Sequence, residues 1–341
     1  MFKAKVSKSF NFILSILIIF LSYGFIYFKL FERKEFFDLW DFYKVFFRNT
    51  PLFILAFIAL MLINWMLEAR KCQYLLKKKE RISLTNSLMA VFSGITVSIF
   101  TPNRIGEYVG RIFMLRKTNP IQGALITIMG SISQLMITLV FGSISTLIFI
   151  FDFSDFLESY PDFIKVALIL IEIMALIIIL ILYFNLSLLY NASERIKFNL
   201  VIKFRRYLKI ITLFSNKELL NTLFLSFLRY LVFSFQFYIL LYWMGLKINL
   251  FDGFVLISMI FFIMAIVPTI ALSELGVRGS VALFLWEIYS THARGLDVEG
   301  SGLIVLAASA FLWIVNLMLP AIIGSFFVFK LNFFNRSFPK P

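Results

Sequence analysis

The amino-acid sequence predicts an all-α, polytopic integral membrane protein, and three features indicate this class. Hydrophobic residues make up 61% of the 341 residues and charged residues only 15%, whereas soluble domains are about half apolar and about one quarter charged. Apolar runs longer than about 18 residues recur along the chain, as expected of transmembrane helices. Basic residues, which give the chain a net charge of +14, concentrate beside these runs. The composition therefore excludes a soluble enzyme.

The N-terminal part of the chain contains two predicted full spans. The first covers about residues 10–27 and follows a basic N-terminus without an obvious signal cleavage site. The mixed-charge stretch 32–48 contains Trp40 and several Phe residues, and it predicts an amphipathic helix at the membrane interface. The second span covers about residues 51–67. It is followed by the first strongly basic loop, to which we assign Arg70, Lys71, Lys77, Lys78, Lys79 and Arg81.

Four more apolar segments are long enough to cross the membrane, which brings the predicted number of full transmembrane helices to about six. They cover about residues 121–151, 163–189, 219–243 and 303–328.

Two segments of a different kind lie between these spans, and we interpret both as re-entrant or broken-helix hairpins; the alternative is that either segment crosses the membrane fully as one kinked helix. Each has an apolar arm, a break that contains proline, and a returning arm: 87–100, 101–104 and 105–115 in the first, and 254–267, 268–273 and 274–288 in the second. An arm of about 15 residues rises only about 22 Å, which is short of the roughly 30 Å hydrocarbon core. If each hairpin is counted once, the fold has eight helical units.

The distribution of basic residues predicts that both termini lie in the cytoplasm. We expect one integral membrane domain, residues 1–341, whose segments 51–151 and 219–328 repeat the order span, hairpin, span. Because the first hairpin enters from the cytoplasm and the second from outside, the two segments form an inverted repeat. This architecture is typical of alternating-access transporters, in which the site lies where the broken helices meet.

Each hairpin carries a glutamate and an arginine four residues apart, Glu107 with Arg111 and Glu274 with Arg278. Residues with this spacing share a helix face and can pair. A charged side chain at membrane depth costs about 2.5–3.5 kcal/mol on insertion scales, so it normally faces a partner or a cavity. One interpretation is that each pair neutralises itself and stabilises its hairpin. The other is that the arginines bind an anionic headgroup, because a guanidinium donates two hydrogen bonds to a phosphate.

The first break adds further candidates for substrate binding. Asn103, Arg104 and Gly106 lie where a new half-helix begins and backbone N–H groups become available to an anion. We expect Arg104, Arg111 and Arg278 to contact a lipid phosphate. Glu107 and Glu274 would then orient those arginines or release them.

Glu172 and Arg229 lie near the middles of two predicted spans. They are candidates for a buried ion pair, with Glu172 as an alternative site of proton coupling. Gln134 and Asn316 also lie mid-span, where polar contacts between helices account for them. With one cysteine, one histidine and no nucleotide-binding glycine pattern, the sequence predicts no metal site, no cofactor and no catalytic residue. The basic charge is explained by membrane orientation, so we expect no nucleic acid partner.

The two hairpin motifs resemble the membrane region of bacterial lysylphosphatidylglycerol synthases, a family that also includes stand-alone, flippase-like integral membrane proteins. The first motif matches the family pattern at Pro102, Gly106, Glu107 and Arg111. The second matches at Pro268, Gly276 and Arg278, but Ser273-Glu274 stands where two glycines are expected, and Gly279 where a glutamate is expected. The resemblance covers about residues 10–330.

This resemblance implies an inner-membrane protein that moves an anionic or modified phospholipid, or a lipid-linked headgroup, between leaflets. In bifunctional relatives a soluble C-terminal domain makes the aminoacyl lipid. Because the sequence stops at Pro341, just past the last predicted span, we expect the chain not to be a complete synthase. Two alternatives stay open: an embedded transferase of envelope lipid or glycan synthesis that uses Glu107 or Glu274 as base, and a non-catalytic partner of a separately encoded lipid-modifying enzyme.

Overall fold

In the computed structural model, every regular element of the described residues is a helix. The structure describes residues 51–99, 101, 104–113, 115, 118–152, 161–185, 190–191, 207, 209–267, 271–292 and 298–328. The helices are α1 (Pro51–Leu76), α2 (Leu84–Ser98), α3 (Gly106–Phe113), α4 (Pro120–Asp152), α5 (Asp162–Phe184), α6 (Asn216–Trp243), α7 (Leu250–Ile266), α8 (Ala271–His292), α9 (Val298–Trp313) and α10 (Leu319–Val328). A π-helical turn, Ile314–Met318, joins α9 to α10, and a short 3₁₀ turn, Ile211–Leu213, precedes α6.

Five of these helical segments are long and apolar enough to cross a membrane: Leu52–Leu76, Pro120–Asp152, Asp162–Phe184, Asn216–Trp243 and Ser301–Val328. The five correspond to predicted full spans, and the all-α class is confirmed. The sixth predicted span, 10–27, and the interfacial helix 32–48 lie outside the described residues.

Helix α1 is longer than the sequence analysis predicts. It begins at Pro51, and proline is favoured at the first helical position because the missing N–H would have no intrahelical acceptor there. It continues to Leu76, so the assignment of Arg70 and Lys71 to a basic loop was wrong. Lys71 is 1% exposed and lies within the helix. The apolar residues Cys72, Leu75 and Leu76 continue the buried face beyond it.

The first hairpin is formed by α2 and α3. Ser83 caps α2 by accepting a hydrogen bond from the backbone N–H of Asn86 at 3.2 Å. Helix α3 packs antiparallel along α2 through glycines. A Cβ atom on Gly94 would lie 2.7 Å from the carbonyl oxygen of Glu107, and one on Gly110 would overlap the backbone of Gly94. The backbones therefore touch directly, and the chain returns toward the side from which α2 came.

Helix α10 packs on the other face of α2. A Cβ atom on Gly324 would overlap the carbonyl group of Phe92. The Thr96 hydroxyl donates a hydrogen bond to the carbonyl oxygen of Ala321 at 2.7 Å. The π turn that precedes α10 contains Asn316, whose side-chain oxygen accepts from the Asn64 amide of α1 at 3.4 Å. The polar contact expected of Asn316 is thus made with α1.

The second hairpin is formed by α7 and α8. Asn249 caps α7 by accepting from the backbone N–H of Asp252 at 2.8 Å. Near the far end of α8, Tyr289 donates a hydrogen bond to the Asp252 carboxylate at 2.6 Å. The end of α8 therefore lies beside the start of α7, as in a hairpin. The returning arm is longer than the predicted 274–288, since α8 has 22 residues.

The helices between the hairpins are held by caps and buried hydroxyls. Ser215 and Glu218 form a capping box at the start of α6. Tyr183 of α5 shares a 2.7 Å hydrogen bond with Ser133 and donates to the carbonyl oxygen of Leu219 at 3.1 Å. Tyr183 is the one described side chain of α5 that is buried. The rest of α5 is a surface of apolar residues, as expected of a helix in lipid.

The chain divides into two compact units. The first comprises Met1–Gly130, Thr269–Leu275 and Phe311–Pro341, and the second comprises Ser131–Pro268 and Gly276–Ala310. The first hairpin belongs to the first unit, together with α1, α10 and the first turn of α8. The predicted inverted repeat stays a prediction.

Candidate functional site

The turn between α2 and α3 positions Arg104. Thr101 closes this turn, because its hydroxyl accepts a hydrogen bond from the backbone N–H of Gly106 at 2.9 Å. Arg104 has a backbone φ of +56°, in the left-handed region that L-residues other than glycine rarely adopt. Such a conformation persists only where surrounding contacts hold it, and it is frequent at functional sites. Asn103 and Pro102 lie outside the described residues.

Arg104 forms an ion pair with Glu274, a residue 170 positions away in the sequence. Its Nη2 atom lies 2.8 Å from Oε1 and 2.6 Å from Oε2 of the carboxylate. Glu274 is in the first turn of α8, where the helix dipole stabilises a negative charge. The Arg104 side chain is 33% exposed, but that of Glu274 only 6%. The pair therefore joins the first hairpin to the start of α8.

Four further charged residues continue from this pair, and three of them, Glu68, Lys71 and Arg111, are buried. The Glu107–Arg111 contact predicted from the spacing is present at 2.8 Å. Arg111 also donates to Glu68 of α1 at 2.9 Å, and Glu68 in turn accepts from Lys71 at 2.8 Å. The side chains of Glu68, Lys71 and Arg111 are each 2–3% exposed. The ion pair between Arg111 and Glu68 thereby connects the first hairpin to α1.

The six charged residues form what we call the ion cluster: Glu68, Lys71, Arg104, Glu107, Arg111 and Glu274. Arg104 connects its two parts, because Glu107 acts on it electrostatically as well as Glu274. Among the described residues, the ion cluster has three acids and three bases, so their formal charges balance. Burial of unpaired charge is very unfavourable, so this balance is a condition for its stability.

Arg104 is the cation of the ion cluster that an anion from outside can reach. Arg111 is 2% exposed and is already bonded to two carboxylates, and Lys71 is 1% exposed. The contacts of Arg111 therefore favour the structural interpretation for that residue. Arg104 combines partial exposure with a guanidinium, which suits a phosphate or a carboxylate.

Glu68 and Lys71 are members of the site that the sequence analysis missed. A hydropathy window ends the second span at the first charges, and it therefore placed Lys71 in solvent. A signal was available in the spacing: Glu68 and Lys71 are three residues apart, on the helix face that Cys72 and Leu75 continue. An acid and a base on one otherwise apolar face indicate a buried pair.

The other described residues that were predicted to bind substrate are not members of the ion cluster. They are Gly106, Gly276 and Arg278. Gly106 is buried, and a Cβ atom there would overlap the backbone of Val97, so this glycine permits close packing of the hairpin. Gly276 is exposed on α8, and a Cβ atom there would meet no atom within 4 Å. Arg278 is buried in the second unit, with its guanidinium carbon 6.0 Å from the ring centre of Phe233.

Glu172 and Arg229 both lie in the second unit, and their ion pair stays a prediction. Glu172 is partly exposed and lies near the side chain of Ser143. Arg229 lies 3.5 Å from the side-chain oxygen of Gln134, whose amide group is 3.4 Å from the carbonyl oxygen of Ser226. Gln134 thus links α4 to α6, in agreement with its predicted role as a contact between helices.

Comparison with known protein families decides how this arrangement is to be classified. The sequence model of one family, the lysylphosphatidylglycerol synthase TM region, matches residues 12–319. The chain belongs to this family. The match includes all six residues of the ion cluster, and it makes the chain a multi-pass membrane protein of a family that acts in lipid metabolism or translocation. Among curated proteins and among solved structures, no match to the chain was found.

Proposed function

We propose that the protein binds the phosphate group of an anionic or modified phospholipid at Arg104 and moves the lipid between the leaflets of a bacterial inner membrane, without catalysing a reaction. Both termini would lie in the cytoplasm. The single observation that carries this proposal is the partly exposed Arg104 at the edge of an otherwise buried, neutral ion cluster.

The geometry of Arg104 supports the binding of a second anion. Both hydrogen bonds that it donates within the described residues come from Nη2. Its Nη1 and Nε atoms keep their hydrogen-bonding capacity, and a guanidinium has five donors in total. A phosphate oxygen can therefore make its first contact with Arg104 before the contact with Glu274 is broken.

The position of Arg104 in the fold supports lipid handling. It lies in a non-helical turn between two short helices, and such backbone is tolerated at membrane depth only beside protein or a water-filled cavity. A water-filled cavity beside this turn would give a headgroup a route through the hydrocarbon region. The family match supports the same conclusion at the coarser level of a membrane protein in lipid metabolism or translocation.

Arg104→Ala tests the proposal. We expect this variant, reconstituted in vesicles, to lose most of its movement of a fluorescent phosphatidylglycerol between leaflets, by about tenfold or more, since a charge-assisted bidentate contact contributes about 1.5–3 kcal/mol. The matched control is Arg70→Ala, which removes an exposed arginine of α1 whose side chain bonds to Gln73 at 2.9 Å. Equal lipid movement by Arg104→Ala and the wild type would refute the role of Arg104.

The same vesicles test the absence of catalysis. Lipids extracted after incubation with candidate donor substrates are analysed by mass spectrometry. A new lipid product that depends on Glu107 or Glu274 would contradict the proposal and favour an embedded transferase. Stable co-purification with a lipid-modifying enzyme, together with no lipid movement, would favour a non-catalytic partner.

A further inference from the structure

We propose that Glu274 is a built-in competitor of the lipid phosphate: it occupies the Arg104 guanidinium in the resting protein and must be displaced when the headgroup binds. This inference rests on the proposed function, because it assigns a regulatory role to a residue of the same site. It also predicts that a substitution which removes the Glu274 carboxylate raises the affinity for the lipid, because a competitor is removed.

The contacts of Glu274 are those of an anion in the headgroup position. Its two carboxylate oxygens lie 2.8 and 2.6 Å from one nitrogen of Arg104. Carboxylate and phosphate present the same pair of acceptor oxygens to a guanidinium, so both bind the same donors. The two anions therefore compete for Arg104.

The charge balance of the ion cluster makes displacement necessary. The cluster has equal numbers of acids and bases, so a phosphate added beside Arg104 would leave one excess negative charge in a largely buried region. An excess buried charge is very unfavourable. When the phosphate replaces Glu274 at the guanidinium, Arg104 keeps one anionic partner, and the released Glu274 carboxylate must move out of the buried region so that no excess charge stays there.

The pattern of exposure shows which ion pair exchanges. Glu68 contacts both Lys71 and Arg111, and all three side chains are 2–3% exposed. Glu107 is 15% exposed and is held by Arg111 on its own helix. The pair of Arg104 with Glu274 includes the most exposed side chain of the ion cluster, at 33%. A headgroup thus reaches this pair first, while the α1 contacts stay fixed.

The backbone of Arg104 is consistent with a contact that opens. A φ of +56° is unfavourable for a residue with a Cβ atom, and it is maintained by the contacts around it. The ion pair with Glu274 is one of these contacts. When a ligand replaces this ion pair, the turn can change its conformation. A fully buried ion pair would not allow such a change.

The test compares the affinity of the purified full-length protein for three probes: dihexanoyl phosphatidylglycerol, glycerol phosphate and inorganic phosphate. We expect Glu274→Gln to bind the short-chain lipid about fivefold or more tightly than the wild type and to release it more slowly. The glutamine keeps the shape and a hydrogen-bond acceptor for Arg104 but loses the charge. The matched control, Asp162→Asn, removes a carboxylate from the exposed pair with Lys165 and should leave affinity unchanged.

The three probes distinguish the source of the phosphate. Tighter binding of the lipid by Glu274→Gln, with or without tighter binding of glycerol phosphate, supports displacement by a headgroup. Tighter binding of inorganic phosphate alone would overturn the proposal and assign the site to a soluble anion.

The failure of this inference and the failure of the proposed function give different results. If Arg104→Ala binds the lipid as well as the wild type, the proposed function fails. If Arg104→Ala loses binding but Glu274→Gln binds equally or more weakly, only the competitor role is overturned. Should Glu274→Gln prove unstable on heating, Glu274→Asp replaces it: the shorter carboxylate weakens the pair, and we expect an affinity above that of the wild type. An affinity of Glu274→Asp at or below that of the wild type would overturn the role.

Discussion

The loss of Glu68 should damage the fold strongly, because this residue neutralises two buried cations at once. Its two oxygens lie 2.9 Å from Arg111 and 2.8 Å from Lys71, and its side chain is 3% exposed. The substitution Glu68→Gln keeps the volume and one acceptor but removes the charge. The ion cluster would then hold three cations and two anions, with the excess charge in the least accessible part.

The expected loss of stability is large. Removal of one partner from a buried ion pair costs about 3–5 kcal/mol, since the other charge is left uncompensated. At roughly 2–4 °C per kcal/mol for a domain of a few hundred residues, the apparent unfolding midpoint in detergent should fall by about 6 °C or more. An exposed pair gives a contrast: Asp162→Asn, whose carboxylate is 94% exposed, should change stability by about 1 kcal/mol or less.

A second substitution tests whether charge is the cause. Lys71→Met in the Glu68→Gln background restores equal numbers of acids and bases and fills a similar volume. We therefore expect the double variant to recover roughly 1–3 kcal/mol relative to Glu68→Gln alone. The assay is the fraction of protein that remains monodisperse after heating. A midpoint for Glu68→Gln within 2 °C of the wild type, or a double variant less stable than the single one, would refute the charge-balance reasoning.

Two further substitutions test the packing of each unit, with the same heating assay. Gly110→Ala should destabilise the first hairpin by about 1–3 kcal/mol, because the new methyl group overlaps the backbone of Gly94. In Gly276→Ala the new methyl group meets no atom, so this control variant should be neutral or stabilised by up to about 1 kcal/mol. Equal unfolding midpoints for both variants would contradict the direct contact of α2 and α3. Tyr230→Phe breaks a 2.7 Å hydrogen bond to the buried Ser258 and should cost about 1–3 kcal/mol. Adding Ser258→Ala should not increase that cost, and a further loss in the double variant would show that the hydrogen bond is not the cause.

Features that depend only on residues close together in the sequence were predictable. The apolar spans follow from composition over about 20 residues, because the membrane sets the length of a helix. The pairing of Glu107 with Arg111 follows from the helical repeat, since residues four apart share a face. The two breaks are marked by proline, and the sequence places Arg104 in the first of them.

The tertiary structure decided which charges meet. The sequence suggested Arg278 as the partner of Glu274 on the basis of spacing, whereas the structure pairs Glu274 with Arg104, 170 residues away. A contact of that separation depends on how helices pack, and no local pattern encodes it. Glu68 and Lys71 were missed for a related reason: a hydropathy average treats a charge as the end of a span, although an oppositely charged partner, here Arg111 of another helix for Glu68, offsets part of the cost of burial. The sequence thus determined the all-α class, the five described spans and the pair of Glu107 with Arg111, and packing determined that Arg104 is the partly exposed cation of a largely buried ion cluster.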